Sequence, residues 1–175
     1  MDIDDACIAD RSRRYRVQAA KKKQRDGPLN AQDYYRTLLA ASRARTDEAA
    51  AKDRHQIETD LPRTFAPLPL RRLDLKAQLT QSLRRVLLAY IERGRSLNAA
   101  TKKLGLAAWS GAATTSRGIL TGYPQGLDHM AGMCLLALAS EIYEGIEEDA
   151  FWLLAMLLEE TCWTQTSTER MCGGT

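Results

Sequence analysis

The sequence predicts an all-α protein, on three observations. Apolar residues recur at i, i+3, i+4 and i+7 spacing in several segments, the signature of one helix face. No segment alternates apolar and polar residues as a half-buried strand would, and no long internal repeat runs along the chain. Two late segments, around 127–142 and 146–160, are apolar nearly all round, as helices buried on several sides are.

The 175 residues suffice for one domain with a modest core. The net charge of +3 is too small to point to a polyanionic partner by itself, but its distribution is uneven. Residues 11–25, RSRRYRVQAAKKKQR, hold much of the positive charge. Such a run is usually a solvated arm, so residues 1–27 are expected to be a flexible, disordered basic tail ending at Gly27-Pro28. The same run could touch an anionic membrane surface. Tyr15 is its lone aromatic, which gives single-stranded nucleic acid little to stack on, so no specific nucleic-acid partner is expected.

The first predicted helix opens near Asn30, a capping residue, with Asp33 in its first turn and Tyr34, Tyr35, Leu38 and Leu39 on one face. A polar, Ala-rich stretch, ARTDEAAAKDRHQ, reads as an exposed helix. Residues 60–70, DLPRTFAPLPL, carry Pro62, Pro67 and Pro69 and are expected to be a connector, because each proline removes a backbone donor. The clearest helix follows: Leu79, Leu83, Val86, Leu87, Tyr90 and Ile91 form one stripe, and Gly94 is the expected stop. Residues 94–121 are rich in Gly, Ala, Ser and Thr and read as an inserted loop, with Trp109 inside it. Leu127, Met130, Cys134, Leu138 and Ile142 then mark one core helix. IEEDAFWLLAMLLEE marks another, with its acids at the positive dipole end. Gly132 would allow a close helix approach.

Cys7, Cys134, Cys162 and Cys172 show no CxxC pair, and His55 and His129 complete no zinc spacing, so no metal and no cofactor are expected. The opening MDIDDACIAD lacks the apolar stretch of a signal peptide, and the run 130–139 is too short to span a bilayer. A cytoplasmic protein with reduced thiols is expected.

Two short stretches remain, ETDLPRT at 58–64 and TGYPQGLDH at 121–129. Their distinctive residues, Arg63 and Gln125, are neither nucleophiles nor strong metal ligands. Both donate hydrogen bonds, and Arg63 carries a permanent charge. Taken singly each is ordinary: an Arg three residues after an Asp usually makes a surface ion pair of little worth, and GYPQG is a plain turn. Taken together and in order they are specific. IETDLPRTF (57–65) and GYPQGLDHMAG (122–132), supported by YYRTLLAA, SLRRVLLAY and EEDAFWLL, resemble the TBC domain family of GTPase-activating proteins for Rab GTPases. The resemblance covers roughly residues 28–160.

The resemblance implies a helical domain that acts on the active site of a GTP-bound Rab rather than an enzyme in its own right. Arg63 would be the arginine finger and Gln125 the glutamine finger. Asp60 would orient Arg63, Tyr123 and Gly126 would shape the glutamine loop, and Ile57 would anchor the first motif. The chain departs from the family pattern at Pro124, where a small residue is usual, and at Leu127 and Asp128. Its span from Tyr90 to Gly122 is longer than the family connector. The family domain also continues beyond the Phe-Trp helix, so this chain is expected to be the N-terminal portion of such a domain, incomplete at its C-terminus, with 161–175 a disordered tail. Without later helices the 127–158 pair is expected to expose a large apolar patch. The competing readings are a catalytically inactive Rab-binding module and an adaptor that works through its basic tail. The expected location is the cytoplasm, peripheral at endomembranes.

Overall fold

The computed structural model describes residues 5–28, 33–66, 73–103, 120–139 and 143–161. Those residues form six α-helices: α1 (Asp5–Asp26), α2 (Tyr34–Ala44), α3 (Glu48–Thr64), α4 (Leu73–Lys103), α5 (Leu127–Leu138) and α6 (Ile146–Met156). A π-helical turn, Leu157–Thr161, continues α6. The chain is all-α, as its periodicity predicts.

The central element is α4, which packs against α2, α3, α5 and α6. Its predicted stripe is the buried one: Leu79, Leu83, Val86, Leu87, Tyr90 and Ile91 are each 2% exposed or less. Each such aliphatic burial stabilises by about 1.5–3 kcal/mol relative to exposure. Facing it, Phe151 of α6 meets the rings of Tyr35 at 5.5 Å, Tyr90 at 6.4 Å and Trp152 at 5.0 Å.

The basic leader departs from the sequence expectation. Its described part is α1, docked on α5 and α6. Ser12, Ala19 and Lys22 face inward and are buried. Ser12 donates its hydroxyl to the Leu138 carbonyl at 3.1 Å, and Lys22 Nζ lies 2.9 Å from Glu159 and 3.2 Å from Glu160. The docking stripe is Ser12, the half-buried Tyr15, Ala19 and the paired Lys22, so only one large apolar side chain marks it. This docking covers much of α6. Among the described residues the exposed large hydrophobics are Val17, Met130 and Met133, and the expected broad apolar patch over the last helices is not seen.

Two boundaries differ from expectation. First, the Ala-rich stretch and the DLPRT motif are a single helix, α3, with Pro62 inside its last turn. Asp47 caps it, accepting from the Ala50 amide at 2.8 Å. Ile57, Leu61 and Thr64 are buried at i, i+4 and i+7, and this burial holds the last turn despite the donor that Pro62 lacks. Second, α4 does not stop at Gly94 but runs to Lys103. A glycine in a helix interior costs only about 1 kcal/mol. Arg93 and Arg95 tie down the turn on either side of it, through Glu159 and Asp53.

Of the loop expected over 94–121, residues 94–103 are therefore helical instead. Residues 104–119 with Trp109, the Asn30 cap, Ile142 and the tail from 162 lie outside the described residues, as do Cys162 and Cys172. The residue that precedes α2 is Asp33, whose side chain makes no capping bond.

Candidate functional site: two donors on one cleft

The C-terminal turn of α3 and the N-terminal turn of α5 meet, and between them opens a cleft of about 350 Å³ lined by Asp60, Arg63, Gln125, Gly126, Asp128 and His129. The two motifs, sixty residues apart in sequence, thus share one surface.

Close approach of the two helices depends on Gly132. A Cβ built there would lie 2.9 Å from Thr64 Cγ2 and 3.3 Å from the Phe65 ring, distances at which something must shift. The two ends are also pinned by a polar contact. Thr64 donates its hydroxyl to Asp128 at 2.6 Å, and His129 Nδ1 lies 2.8 Å from the same carboxylate. Burial would push the Asp128 carboxyl up, but Thr64 and His129 outweigh it and hold it below its ordinary value. Asp128 is therefore an internal strut of the cleft wall.

The glutamine loop is held at both ends. Gly126 has φ +92°, a left-handed conformation that costs a glycine nothing, and it opens α5. The Leu127 amide donates to the Pro124 carbonyl at 3.3 Å, closing the turn around Gln125. Pro124 brings no N–H that the turn must satisfy. Tyr123 anchors the other end. Its amide donates to Asp53 at 3.2 Å, and its hydroxyl donates to Asp60 at 2.9 Å while lying 3.3 Å from Asp128. Burial, then the Asp60 contact, raises the Tyr123 phenol well above its ordinary range, so it stays a donor at any physiological pH.

The expected residues fall as follows. Arg63 and Gln125 are exposed and line the same cleft. Neither side chain makes a hydrogen bond or ion pair among the described residues. Ile57 is 1% exposed in the core beneath. Tyr123 and Gly126 shape the loop as described above. Asp60 differs: it makes no pair with Arg63. Instead it accepts from Tyr123 and from Gln56 Nε2 at 3.2 Å, so it holds the glutamine loop rather than the arginine.

Sequence reasoning passed over four contributors: Asp53, Arg95, Thr64 and His129. Asp53 lies seven residues before Asp60, two helical turns along the same face, a relation visible only once α3 is recognised as one helix. Arg95 was hidden behind the expected stop at Gly94. Thr64 stands in the motif beside Arg63 without an evident task.

Chemically, the cleft presents a permanent cation and a neutral amide on one surface, both without a side-chain partner among the described residues. Among the described residues its lining has no Ser, Cys, Thr or Lys side chain, and its carboxylates, Asp60 and Asp128, are both engaged in hydrogen bonds. Among the described residues no cluster of His, Cys, Asp and Glu could hold a metal ion. Nor is any helix there long and apolar enough to cross a membrane.

Against known proteins, a family model described as the Rab-GTPase-TBC domain matches residues 11–174. The match begins inside α1 and so reaches further toward the N-terminus than the motifs alone suggest. Neither a curated protein nor a solved structure matches the chain.

Proposed function

The chain belongs to the Rab-GTPase-TBC domain family, a domain associated with GTPase-activating activity on Rab GTPases, and from that premise we propose that it accelerates GTP hydrolysis by a GTP-bound Rab through Arg63 and Gln125. The observation that carries the reading is the shared cleft: the motif arginine and the motif glutamine line the same cleft, with no competing side-chain partner among the described residues.

A Rab alone hydrolyses GTP slowly, because charge spreading over the γ-phosphoryl oxygens is poorly stabilised and the attacking water is poorly held. The Arg63 guanidinium, inserted into the partner's site, stabilises that charge. An arginine supplied in this way is worth about 10³–10⁵ in rate, or about 4–7 kcal/mol. The Gln125 amide can accept from the water through its oxygen and donate through its nitrogen, and so orients the water for in-line attack. Asp60, Tyr123 and Asp128 hold the loop that carries it. The nucleotide, its metal and the water all belong to the partner.

The exposed basic residues of α1, among them Arg11, Arg13 and Lys21, would face the anionic cytoplasmic leaflet of an endomembrane while the cleft engages a Rab anchored there. The test of the glutamine assignment is a Rab whose own water-positioning glutamine has been replaced. Acceleration that survives this replacement and disappears with Gln125→Ala supports the reading. Loss of acceleration on replacing the Rab residue alone contradicts it.

A further inference from the structure

Resting on that reading of the cleft, we propose that Asp53 and Arg95 form a latch that positions the glutamine loop, and that the extension of α4 beyond Gly94 exists in the domain to supply it.

The Asp53 carboxylate divides its two oxygens. Oδ2 receives Arg95 Nη2 at 2.6 Å, and Oδ1 receives the Tyr123 amide at 3.2 Å. The carboxylate sits directly over Gly122: a Cβ built on Gly122 would lie 3.7 and 3.8 Å from its two oxygens. Both partners of the ion pair are largely withdrawn from water, with side chains 14% and 15% exposed. A pair in that setting differs from a solvated surface bridge. Remove Arg95 and Asp53 is left as a poorly hydrated charge without a counterion, and it must turn outward to find water. Turning outward takes Oδ1 off the Tyr123 amide.

Three residues of α3 therefore act on one loop and one cleft. Asp53 holds the Tyr123 backbone, Asp60 holds its hydroxyl, and Arg63 lines the same cleft as Gln125. Gly126 fixes the exit of the loop by its own backbone, so Asp53 fixes the entry. Gln125 reaches the cleft from between those two points. A displacement of about 1 Å at such a residue can cost about 10²-fold in rate. Asp53 and Arg95 touch neither nucleotide nor water, and so they are positioning residues.

The experiment uses the full chain in two arms. In the first, single-turnover GTP hydrolysis is followed for GTP-loaded Rabs with wild type, Arg95→Gln, Arg95→Lys and Asp53→Asn, each also combined with Gln125→Ala. The expected result is a fall in kcat of about 10–100-fold for Arg95→Gln and Asp53→Asn, with KM unchanged. Arg95→Lys should restore most of the loss, and the Gln125→Ala background should show no further loss. An equal loss in both backgrounds, or a rise in KM alone, overturns the latch. In the second arm, amide hydrogen exchange is read at Tyr123. Arg95→Gln should accelerate exchange there by at least about tenfold while Leu135 and Leu154 amides keep their protection. Unchanged exchange at Tyr123 overturns the latch, as does loss of protection throughout. If wild type accelerates no Rab, the activator reading falls while the exchange arm still decides the latch.

Discussion

At the scale of single residues, the proposed activity depends on what Arg63 and Gln125 do not do. Among the described residues each is left unengaged while its neighbours satisfy one another: Asp60 with Tyr123, Asp128 with Thr64, Asp53 with Arg95. Arg63→Lys is therefore expected to behave nearly as Arg63→Ala in GTP hydrolysis, because a point charge cannot span two phosphoryl oxygens as a planar fork does. Gly126→Ala places a Cβ at φ +92°, where there is space but the backbone is strained at a cost of about 1–2 kcal/mol. The expected outcome is a chain that stays folded by circular dichroism and loses acceleration. Away from the cleft, burial pushes the Cys134 thiol up to about 12. Peptide mapping after alkylation at pH 8 should find Cys134 unlabelled in the native chain and labelled in urea.

At the scale of elements, the α3–α5 contact sets the distance between the two donors, and Gly132 sets that contact. Gly132→Ala gains about 1 kcal/mol of helix propensity, yet it forces Thr64 and the Phe65 ring to move, and overpacking costs about 1–3 kcal/mol. The thermal midpoint should change little while the rate of stimulated hydrolysis falls, because the displaced residue is next to Arg63. The elements also show what the sequence made legible. The stripe of α4 and the apolar character of α5 and α6 were readable because large side chains recur at helical spacing. Neither the docking of α1 nor the continuity of α3 could be read in that way. The inner face of α1 is Ser12, the half-buried Tyr15, Ala19 and a lysine paired with acids at the far end of the sequence, and α3 contains a proline that only its buried neighbours make tolerable. At the site, Arg63 and Gln125 were legible as motif residues. The partner of Asp60 was not, since i, i+3 spacing suggests Arg63 and only the fold brings Tyr123 closer.

At the scale of the whole molecule, charges that bridge distant segments hold the first helix to the last. Lys22 and Arg93, both nearly inaccessible, converge on Glu159, with the Arg93 guanidinium 5.2 Å from the Trp152 ring centre. Glu159→Gln takes the carboxylate from the buried Arg93, while Lys22 keeps Asp26 and Glu160, and should destabilise by about 3 kcal/mol in chemical denaturation. The same ends give an acid dependence. The Arg25 guanidinium holds the Asp26 carboxyl down at about 2, against an ordinary value near 3.8. A carboxyl lowered in the folded state contributes stability that is complete above the unfolded value and is lost as pH falls through the folded one. Thermal midpoints should therefore be level above about pH 5 and decline from about pH 4 toward pH 2, and Asp26→Asn should flatten part of that decline.

These scales meet in one claim, that the shared cleft is where a Rab is made to hydrolyse its GTP. The most direct measurement is single-turnover GTP hydrolysis by a panel of GTP-loaded Rabs, with the wild-type chain and Arg63→Ala in parallel. The wild type should accelerate at least one Rab, and the acceleration should fall by about 10³-fold or more in the variant. Equal acceleration by both chains would contradict that claim.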